Sequence, residues 1–142
     1  MIDKYEEADL LGRNIVLSIF KDKVHLTQSQ ISDCWDLSGS TINGDFYIEV
    51  KYRPEIKSTK YDTDLLEYSK MSALRNIDRN AKHYYFMLFS DNVGRLYNLK
   101  DVSIMDVYIH SDPYPISSTE NKGEKDKLML DLMNNKAKTY KW

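Results

Sequence analysis

The most informative segment of the sequence is WDLSGSTINGDFYIEVKYR, residues 35–53. Asn43-Gly44 lies between two runs in which apolar and polar residues alternate, and this dipeptide is the strongest short-range signal for a two-residue β-turn. The sequence therefore predicts a β-hairpin in which Ile42 pairs with Asp45, and this pairing fixes the register of both strands.

This register assigns the side chains of the hairpin to two faces, because successive side chains of a strand point to opposite sides of a sheet. The predicted core face consists of Trp35, Leu37, Phe46, Ile48, Val50 and Tyr52. The other face is predicted to be polar, with Asp36 directly opposite Lys51 and with Glu49 beside both. Since opposed Cβ atoms lie roughly 5 Å apart and diagonal ones roughly 7 Å, these three side chains are expected to converge on one small patch.

Two carboxylates and a lysine in one patch suit the hydrolysis of a phosphodiester bond. Oxygen ligands are those that Mg²⁺ prefers, and a bound metal offsets charge on the phosphate and lowers the pKa of an attacking water. Asp36 and Glu49 are the predicted metal ligands, with the backbone carbonyl of Val50 as a further candidate. Lys51 is predicted to orient the water or to stabilise the transition state.

The arrangement resembles the PD-(D/E)XK nuclease superfamily, in which an Asp precedes a Glu-x-Lys tripeptide on a strand hairpin behind an N-terminal helix. Asp36 matches the lone acid, and Glu49-Val50-Lys51 matches the tripeptide. Trp35 stands where the family has a proline, which is a departure from the text of the motif rather than from its geometry. The resemblance implies an α/β fold with a restriction-endonuclease-like α-β-β-β-α-β core, that is, a central mixed sheet flanked by helices.

Further site residues are implied by the same resemblance. Many members carry a glutamate on the first helix, and Glu7 is the candidate for this extra metal ligand or ligand orienter. The second helix often turns a polar side chain toward the site, so Lys70, together with Tyr68, is a candidate for binding nucleic acid; a solvated helix face is the alternative. The middle third of the chain is modestly basic and is a candidate for a groove that binds phosphate groups. A solvated surface explains the same basic residues about equally well. The candidates in this groove are Arg53, Lys57 and Lys60.

The rest of the chain is predicted to contain further helices and strands. Apolar residues at three- and four-residue spacing predict helices, and these span residues 3–20, 63–80 and 124–136. Alternating and β-rich runs predict strands, and these span residues 24–29, 83–89, 95–99 and 104–109. Asp62 or Thr63 is the expected N-cap of the second helix, and Pro113 and Pro115 predict an irregular stretch. Gly12 inside the first helix suggests close packing there.

Composition restricts the class of protein. The chain has 142 residues, of which 42% are hydrophobic and 30% charged, the balance of a single domain over 1–142 with its own core. A net charge of −2 argues against a passive module that binds nucleic acid by bulk attraction. A single cysteine, no apolar leader and no long apolar run predict an intracellular protein with no membrane role, located in the host cytoplasm if it is phage-encoded.

The predicted function is the Mg²⁺-dependent hydrolysis of phosphodiester bonds in DNA, with Mn²⁺ as a substitute and with no organic cofactor. The resemblance to small resolvase-like and phage-type members suggests structured or branched DNA as the substrate. A homodimer that places two sites on two strands is also expected. The alternative is a catalytically inactive protein that keeps the nuclease fold as a nucleic-acid or protein binding module.

Overall fold

The computed structural model of the chain describes residues 4–30, 33–102, 108–115 and 124–142. Two α-helices lie in these ranges, α1 over Lys4–Phe20 and α2 over Tyr68–Arg75. The strands are β1 Thr27–Gln28, β2 Leu37–Thr41, β3 Gly44–Arg53, β4 Thr63–Glu67, β5 Lys82–Phe89, β6 Val93–Asn98, β7 Tyr108–Pro115, β8 Glu124–Met133 and β9 Lys138–Lys141. Short 3₁₀ turns follow β6 at Leu99–Asp101 and β8 at Asn134–Lys136.

Two sheets organise the described strands. Six strands form a mixed sheet in the order β1-β2-β3-β5-β6-β9, in which β3 and β5 are parallel and the other neighbours are antiparallel. A second, antiparallel sheet of three strands has the order β4-β8-β7. The fold is therefore mixed α/β around a mixed central sheet, which confirms that part of the prediction.

Hydrophobic clusters cover both faces of the six-stranded sheet. On one face α1 packs against the sheet, and the cluster there includes Val16, Leu37, Ile48, Val50, Phe86 and Leu88. On the other face lie α2 and the three-stranded sheet, and the second cluster includes Leu66, Met71, Leu74, Tyr85, Met87 and Leu130. β3 is therefore sandwiched between the two helices, and its alternate residues face one or the other.

Close contact between α1 and β3 depends on Gly12, as the sequence suggested. A Cβ atom at this position would lie 3.0 Å from Cβ of Tyr52 and 3.2 Å from Cγ1 of Val50. The helix predicted over 3–20 is confirmed, and so are the strands predicted over 83–89 and 95–99. The strand predicted over 24–29 is confined to the two residues of β1.

The hairpin forms, but its predicted turn is wrong. Thr41 pairs with Gly44, so Ile42 and Asn43 form the loop and Ile42 does not pair with Asp45. The predicted turn needs positive φ at both central residues, whereas Gly44 has a φ of 113° and Asn43 is not among the residues of positive φ. The backbone N–H of Asn43 instead donates to Oγ1 of Thr41 at 3.1 Å, which favours the observed loop.

The register of the hairpin consequently differs by two residues from the predicted one. Leu37 pairs with Ile48, and continuing this register by one residue puts Glu49 rather than Lys51 opposite Asp36. An even shift leaves strand side chains on the face to which they were assigned. The predicted polar face of β3 is therefore retained.

The face assigned to Trp35 is wrong. It was expected beside Leu37, but β2 begins only at Leu37, so strand alternation does not extend back to Trp35. Its ring lies 5.4 Å from the ring of Tyr47, at an interplanar angle of 63°. Both rings pack against the cluster on the α2 side of the sheet.

The helix predicted over 63–80 is wrong in its first part, because β4 occupies residues 63–67. Asp64 and Leu66 point to the same side of β4, and both are buried. Asp64 is held there by an ion pair with Arg95 of β6, with 2.7 Å between Oδ2 and Nε. This distant partner stabilises a strand where the spacing of apolar residues predicts a helix.

Helix α2 is consequently short, with eight residues. The residue before it is Glu67, whose side chain makes no capping hydrogen bond. Asp62 and Thr63, the predicted caps, precede the helix by five or more positions and do not cap it.

The helix predicted over 124–136 is wrong, because most of this range forms β8, the central strand of the three-stranded sheet. Leu130 and Leu132 lie two residues apart and are buried to 0% and 1% exposure. Leu128 and Met133, which the predicted helix would place on its apolar face, are 45% and 44% exposed.

The irregular stretch predicted at Pro113 and Pro115 is also wrong, because both prolines lie in β7. β7 is an edge strand, where a residue that lacks an N–H is tolerated. Of the strand predicted over 104–109, residues 104–107 lie outside the described residues, and residues 108 and 109 belong to β7.

Candidate metal centre

Asp36 is fixed by hydrogen bonds to both of its carboxylate oxygens. The backbone N–H of Val50 donates to Oδ2 at 2.7 Å, and Nη2 of Arg13 on α1 donates to Oδ1 at 2.7 Å. The side chains of Arg13 and Asp36 are only 18% and 16% exposed. Because β2 begins one residue later, the Asp36 side chain takes the place of a strand partner for Val50. The position of this carboxylate is thus set by α1 and β3 together.

Glu49 lies next to Asp36 on the α2 side of β3, close enough for Asp36 to raise its pKa. Burial and then the negative charge of Asp36 raise the pKa of Glu49 to about 8. The ammonium of Lys70 on α2 opposes this shift, with 3.6 Å between Nζ and Oε1 of Glu49. Near neutral pH Glu49 therefore retains its proton, and a divalent cation placed between the two carboxyl groups would favour its ionised form.

Two lysines complete this face. Burial and then the positive charge of Lys70 lower the pKa of Lys51. Although burial acts in the opposite direction, the nearby carboxylates, Glu49 foremost, raise the pKa of Lys70. Lys51 is therefore the more readily deprotonated of the two amines.

Asp9 on α1 is a member of the site that the sequence reasoning missed. Burial raises the pKa of Asp9, the charge of Lys51 opposes this shift, and the charge of Asp36 adds to it. A signal for Asp9 was present in the sequence: it precedes Gly12 by three positions, so it lies on the helix face that the glycine brings against the sheet. Glu7, the acid predicted for this helix, is exposed, and no contact within the described residues joins it to Asp36.

The predicted trio of Asp36, Glu49 and Lys51 is brought together by the structure. The N–H of Val50 points to Asp36, and since the N–H and C=O of one strand residue point to the same edge, the Val50 carbonyl faces this edge as well. Two carboxylates and a carbonyl are oxygen donors that suit Mg²⁺. Among the described residues, no three His, Cys, Asp or Glu side chains are grouped closely enough to hold a metal ion.

The residues predicted to contact nucleic acid lie around this site and differ in how far they are buried. Arg53, two positions beyond Lys51 on the same face, is half-buried and close enough to lower the pKa of Lys51. Lys57 and Lys60 are exposed in the loop that follows β3. Tyr68 is half-buried and packs against the core, which leaves less of its ring for stacking on a base.

Comparison with models of known protein families gave no match, and no curated protein matched the sequence. No helix in the part of the chain that the structure describes is long and apolar enough to cross a membrane.

Proposed function

We propose that the chain is a Mg²⁺-dependent nuclease of the PD-(D/E)XK type that hydrolyses phosphodiester bonds in DNA. The observation that carries this proposal is the close approach of the carboxyl groups of Asp36 and Glu49 beside Lys51. A surface ion pair would explain a single carboxylate next to a lysine. It does not explain two carboxyl groups, each only 16% exposed, that lie near enough to repel each other when both are ionised.

A divalent cation offers a reason for this costly arrangement. Mg²⁺ is usually held by one or two carboxylates together with water and substrate phosphate rather than by a complete cage of protein ligands. Asp36 and Glu49 supply two carboxylates, and Val50 supplies a backbone carbonyl at the same edge. When bound, Mg²⁺ would offset charge on the scissile phosphate and lower the pKa of the attacking water.

Lys51 has the surroundings that the reaction requires of an amine. It lies beyond Glu49 on the same strand face, and burial together with Lys70 lowers its pKa. An amine with a lowered pKa can hold the attacking water by a hydrogen bond and gives up a proton more readily than an ordinary lysine. In its charged form it stabilises negative charge that develops on the phosphate.

The order of elements supports a restriction-endonuclease-like core. From α1 through β5 the chain runs α1-β1-β2-β3-α2-β5, with β4 inserted before α2. The acid and the Glu-x-Lys tripeptide lie on the hairpin behind the first helix, and the second helix turns Lys70 toward Glu49. Helices lie on both faces of the mixed sheet.

Phosphate groups of the substrate would be held beside the metal centre by Arg53 and Lys70, with Lys57 and Lys60 farther out. Exposed basic side chains on the loop after β3 suit contact with a DNA backbone. Structured or branched DNA is the proposed substrate, and a homodimer would bring two sites to two strands.

One observation favours a second candidate, an inactive binding module with the same fold. Each site carboxylate already has a basic partner, Arg13 for Asp36 and Lys70 for Glu49. In such a protein these ion pairs would stabilise the fold and no metal would enter.

Cleavage assays with a matched pair of variants separate the two candidates. Glu49→Gln removes the charge of a proposed ligand, and Glu55→Gln makes the same change at an exposed glutamate in the loop after β3. We expect the wild type and Glu55→Gln to cut plasmid, single-stranded or four-way DNA with Mg²⁺ or Mn²⁺ but not with a chelator, and Glu49→Gln to be inactive yet folded. No cleavage by the wild type on any of these substrates, or equal cleavage by both variants, would reject the nuclease.

A further inference from the structure

A second candidate site lies on the opposite face of the six-stranded sheet, beyond the end of α1. Register pairs Phe46 with Lys82, Tyr84 with Asn98 and Leu96 with Lys138, so these side chains share the face on which α1 packs. Since α1 ends at Phe20, it does not cover this end of the sheet. A cavity of about 530 Å³ is found there, and we call it the lysine-rimmed cavity.

Aromatic rings form much of the wall of this cavity. Phe20, Phe46, Tyr84 and Tyr140 line it, and each is only partly buried. The rings of Phe46 and Tyr84 lie 6.2 Å apart at 80°, and those of Phe20 and Tyr140 lie 5.4 Å apart at 67°. Edge-to-face packing of this kind holds the rings in place. The cavity therefore offers fixed aromatic surface to a ligand.

Positive charge surrounds the aromatic wall. Lys82, Lys136 and Lys138 line the cavity, and Asp101 is the one carboxylate among its described lining residues. Neither Lys82 nor Lys136 forms an ion pair within the described ranges, and Nζ of Lys138 lies 5.2 Å from the centre of the Tyr140 ring. Three ammonium groups against one carboxylate favour a ligand with negative charge as well as a flat apolar part.

We propose that the lysine-rimmed cavity binds a nucleotide unit of single-stranded DNA, with the base against Tyr84 and Tyr140 and the phosphate near Lys82 and Lys136. Proteins bind single strands by combining a basic groove with aromatic side chains on which bases stack. The volume is in the range of pockets that enclose small molecules, about 300 to 1,000 Å³. This inference does not depend on the proposed nuclease, because the cavity and the Asp36–Glu49 pair lie on opposite faces of the sheet.

Fluorescence anisotropy tests the proposal on the full chain with a labelled oligothymidylate of about 12 nucleotides, a length within the usual range for such sites. A chelator in the buffer prevents metal-dependent cleavage. The cavity variant is Lys82→Glu with Lys136→Glu. The control is Lys100→Glu with Lys141→Glu, which changes net charge equally at exposed lysines outside the cavity. Because two phosphate contacts become repulsive in the cavity variant alone, we expect its Kd to rise about tenfold or more and that of the control by less than about threefold.

A milder pair of variants tests the same point without reversing any charge. Lys82→Gln with Lys136→Gln should reduce the slope of log K against log salt by about 1.4, the value for two single-strand phosphate contacts, while Lys100→Gln with Lys141→Gln leaves it unchanged. Circular dichroism and thermal melting establish that each variant is folded. Because binding is measured with a chelator present, absence of cleavage by the wild type in the separate assay would reject only the nuclease.

Several outcomes would overturn the proposal. Equal affinities of the cavity and control variants would show that the strand binds elsewhere. Equal affinity for free thymidine monophosphate would assign the cavity to a small nucleotide rather than to a strand, and equal affinity for duplex DNA would show that no base enters it. A wild type that sediments as a dimer and a cavity variant that sediments as a monomer would assign this face to a second copy of the chain.

Discussion

Nη2 of Arg13 lies 2.7 Å from Oδ1 of Asp36, and this contact ties α1 to the start of the hairpin. Asp36 precedes β2, and its backbone N–H donates to the carbonyl of Ile48 at 2.9 Å. The arginine and the N–H of Val50 together leave the carboxylate little freedom to rotate. Helix α1 therefore contributes to the candidate metal centre by orienting Asp36 as well as by covering the sheet.

Replacing Arg13 by Gln should lower the free energy of unfolding by about 2 kcal/mol, since a hydrogen bond between charged groups contributes roughly 1.5 to 3 kcal/mol and both side chains are mostly buried. Arg79→Gln, at an exposed arginine, is the matched control and should change stability by less than about 0.5 kcal/mol. Urea unfolding of both variants measures the difference. Equal stabilities would mean that the Arg13 contact is not formed in solution.

The pKa of Glu49 predicts how stability depends on pH. Burial and Asp36 raise this pKa from 4.5 to about 8 in the folded chain. Between these values the unfolded chain has released a proton that the folded chain retains. The free energy of unfolding therefore falls as the pH rises through this range, and the contribution of Glu49 levels off above about pH 8. Glu49→Gln should remove this part of the pH dependence, and Glu55→Gln should keep it.

Urea unfolding at a series of pH values, without divalent metal, measures this effect. The curves of the wild type and Glu55→Gln should fall together, while that of Glu49→Gln should be flatter over the same interval. Identical curves for all three proteins would show that Glu49 titrates normally and that its carboxyl group does not interact closely with Asp36.

The buried ion pair between Asp64 and Arg95 should be essential for stability. Asp64 accepts hydrogen bonds from Nε and Nη2 of Arg95 at 2.7 and 2.9 Å, and it also accepts one from the hydroxyl of Tyr97. Removing one partner of a buried pair leaves an uncompensated charge and typically costs about 3 to 5 kcal/mol. Asp64→Asn should show a loss of this size in urea unfolding, whereas Asp62→Asn at an exposed position should not. A small effect at Asp64 would contradict the attachment of β4 to β6 through this pair.

Gly12→Ala should destabilise the chain although alanine favours helices. The gain in helix propensity is about 1 kcal/mol, but the new methyl group would crowd Cβ of Tyr52, which is attached to the backbone of β3. Overpacking usually costs about 1 to 3 kcal/mol, so the net change should be a loss. Asn14→Ala, on the exposed side of α1, should instead be neutral or stabilising by a few tenths of a kcal/mol. Thermal unfolding ranks the two variants, and a more stable Gly12→Ala would show that α1 can move away from the sheet.

Features encoded by neighbouring residues could be predicted from the sequence. The convergence of Asp36, Glu49 and Lys51 follows from strand alternation and a tight turn. This prediction holds although the predicted turn is wrong, because the register differs by an even number of residues and the side chains stay on the same face. Arg13 and Asp9 could not be placed beside these residues without knowing how α1 crosses the sheet, although Gly12 marked the helix face that makes this contact.

The wrong elements are those that depend on distant partners. Residues 63–67 form a strand because Asp64 meets Arg95, which is 31 positions away, and local spacing carries no information about that pairing. In β8 the sequence held two conflicting signals. Leu128 and Leu132 have helical spacing, whereas Leu128, Leu130 and Leu132 alternate as in a strand, and pairing with β4 decides in favour of the strand.

Asp36 and Glu49 are proposed to hold a divalent cation, and calorimetric titration with Mg²⁺ and Mn²⁺ measures this binding. The proteins to compare are the wild type, Asp36→Asn and, as a control, Asp45→Asn at an exposed aspartate near the start of β3. We predict a saturable binding heat for the wild type and for Asp45→Asn, and none for Asp36→Asn. Absence of binding in the wild type, or identical isotherms for all three proteins, would contradict a metal site at Asp36 and Glu49.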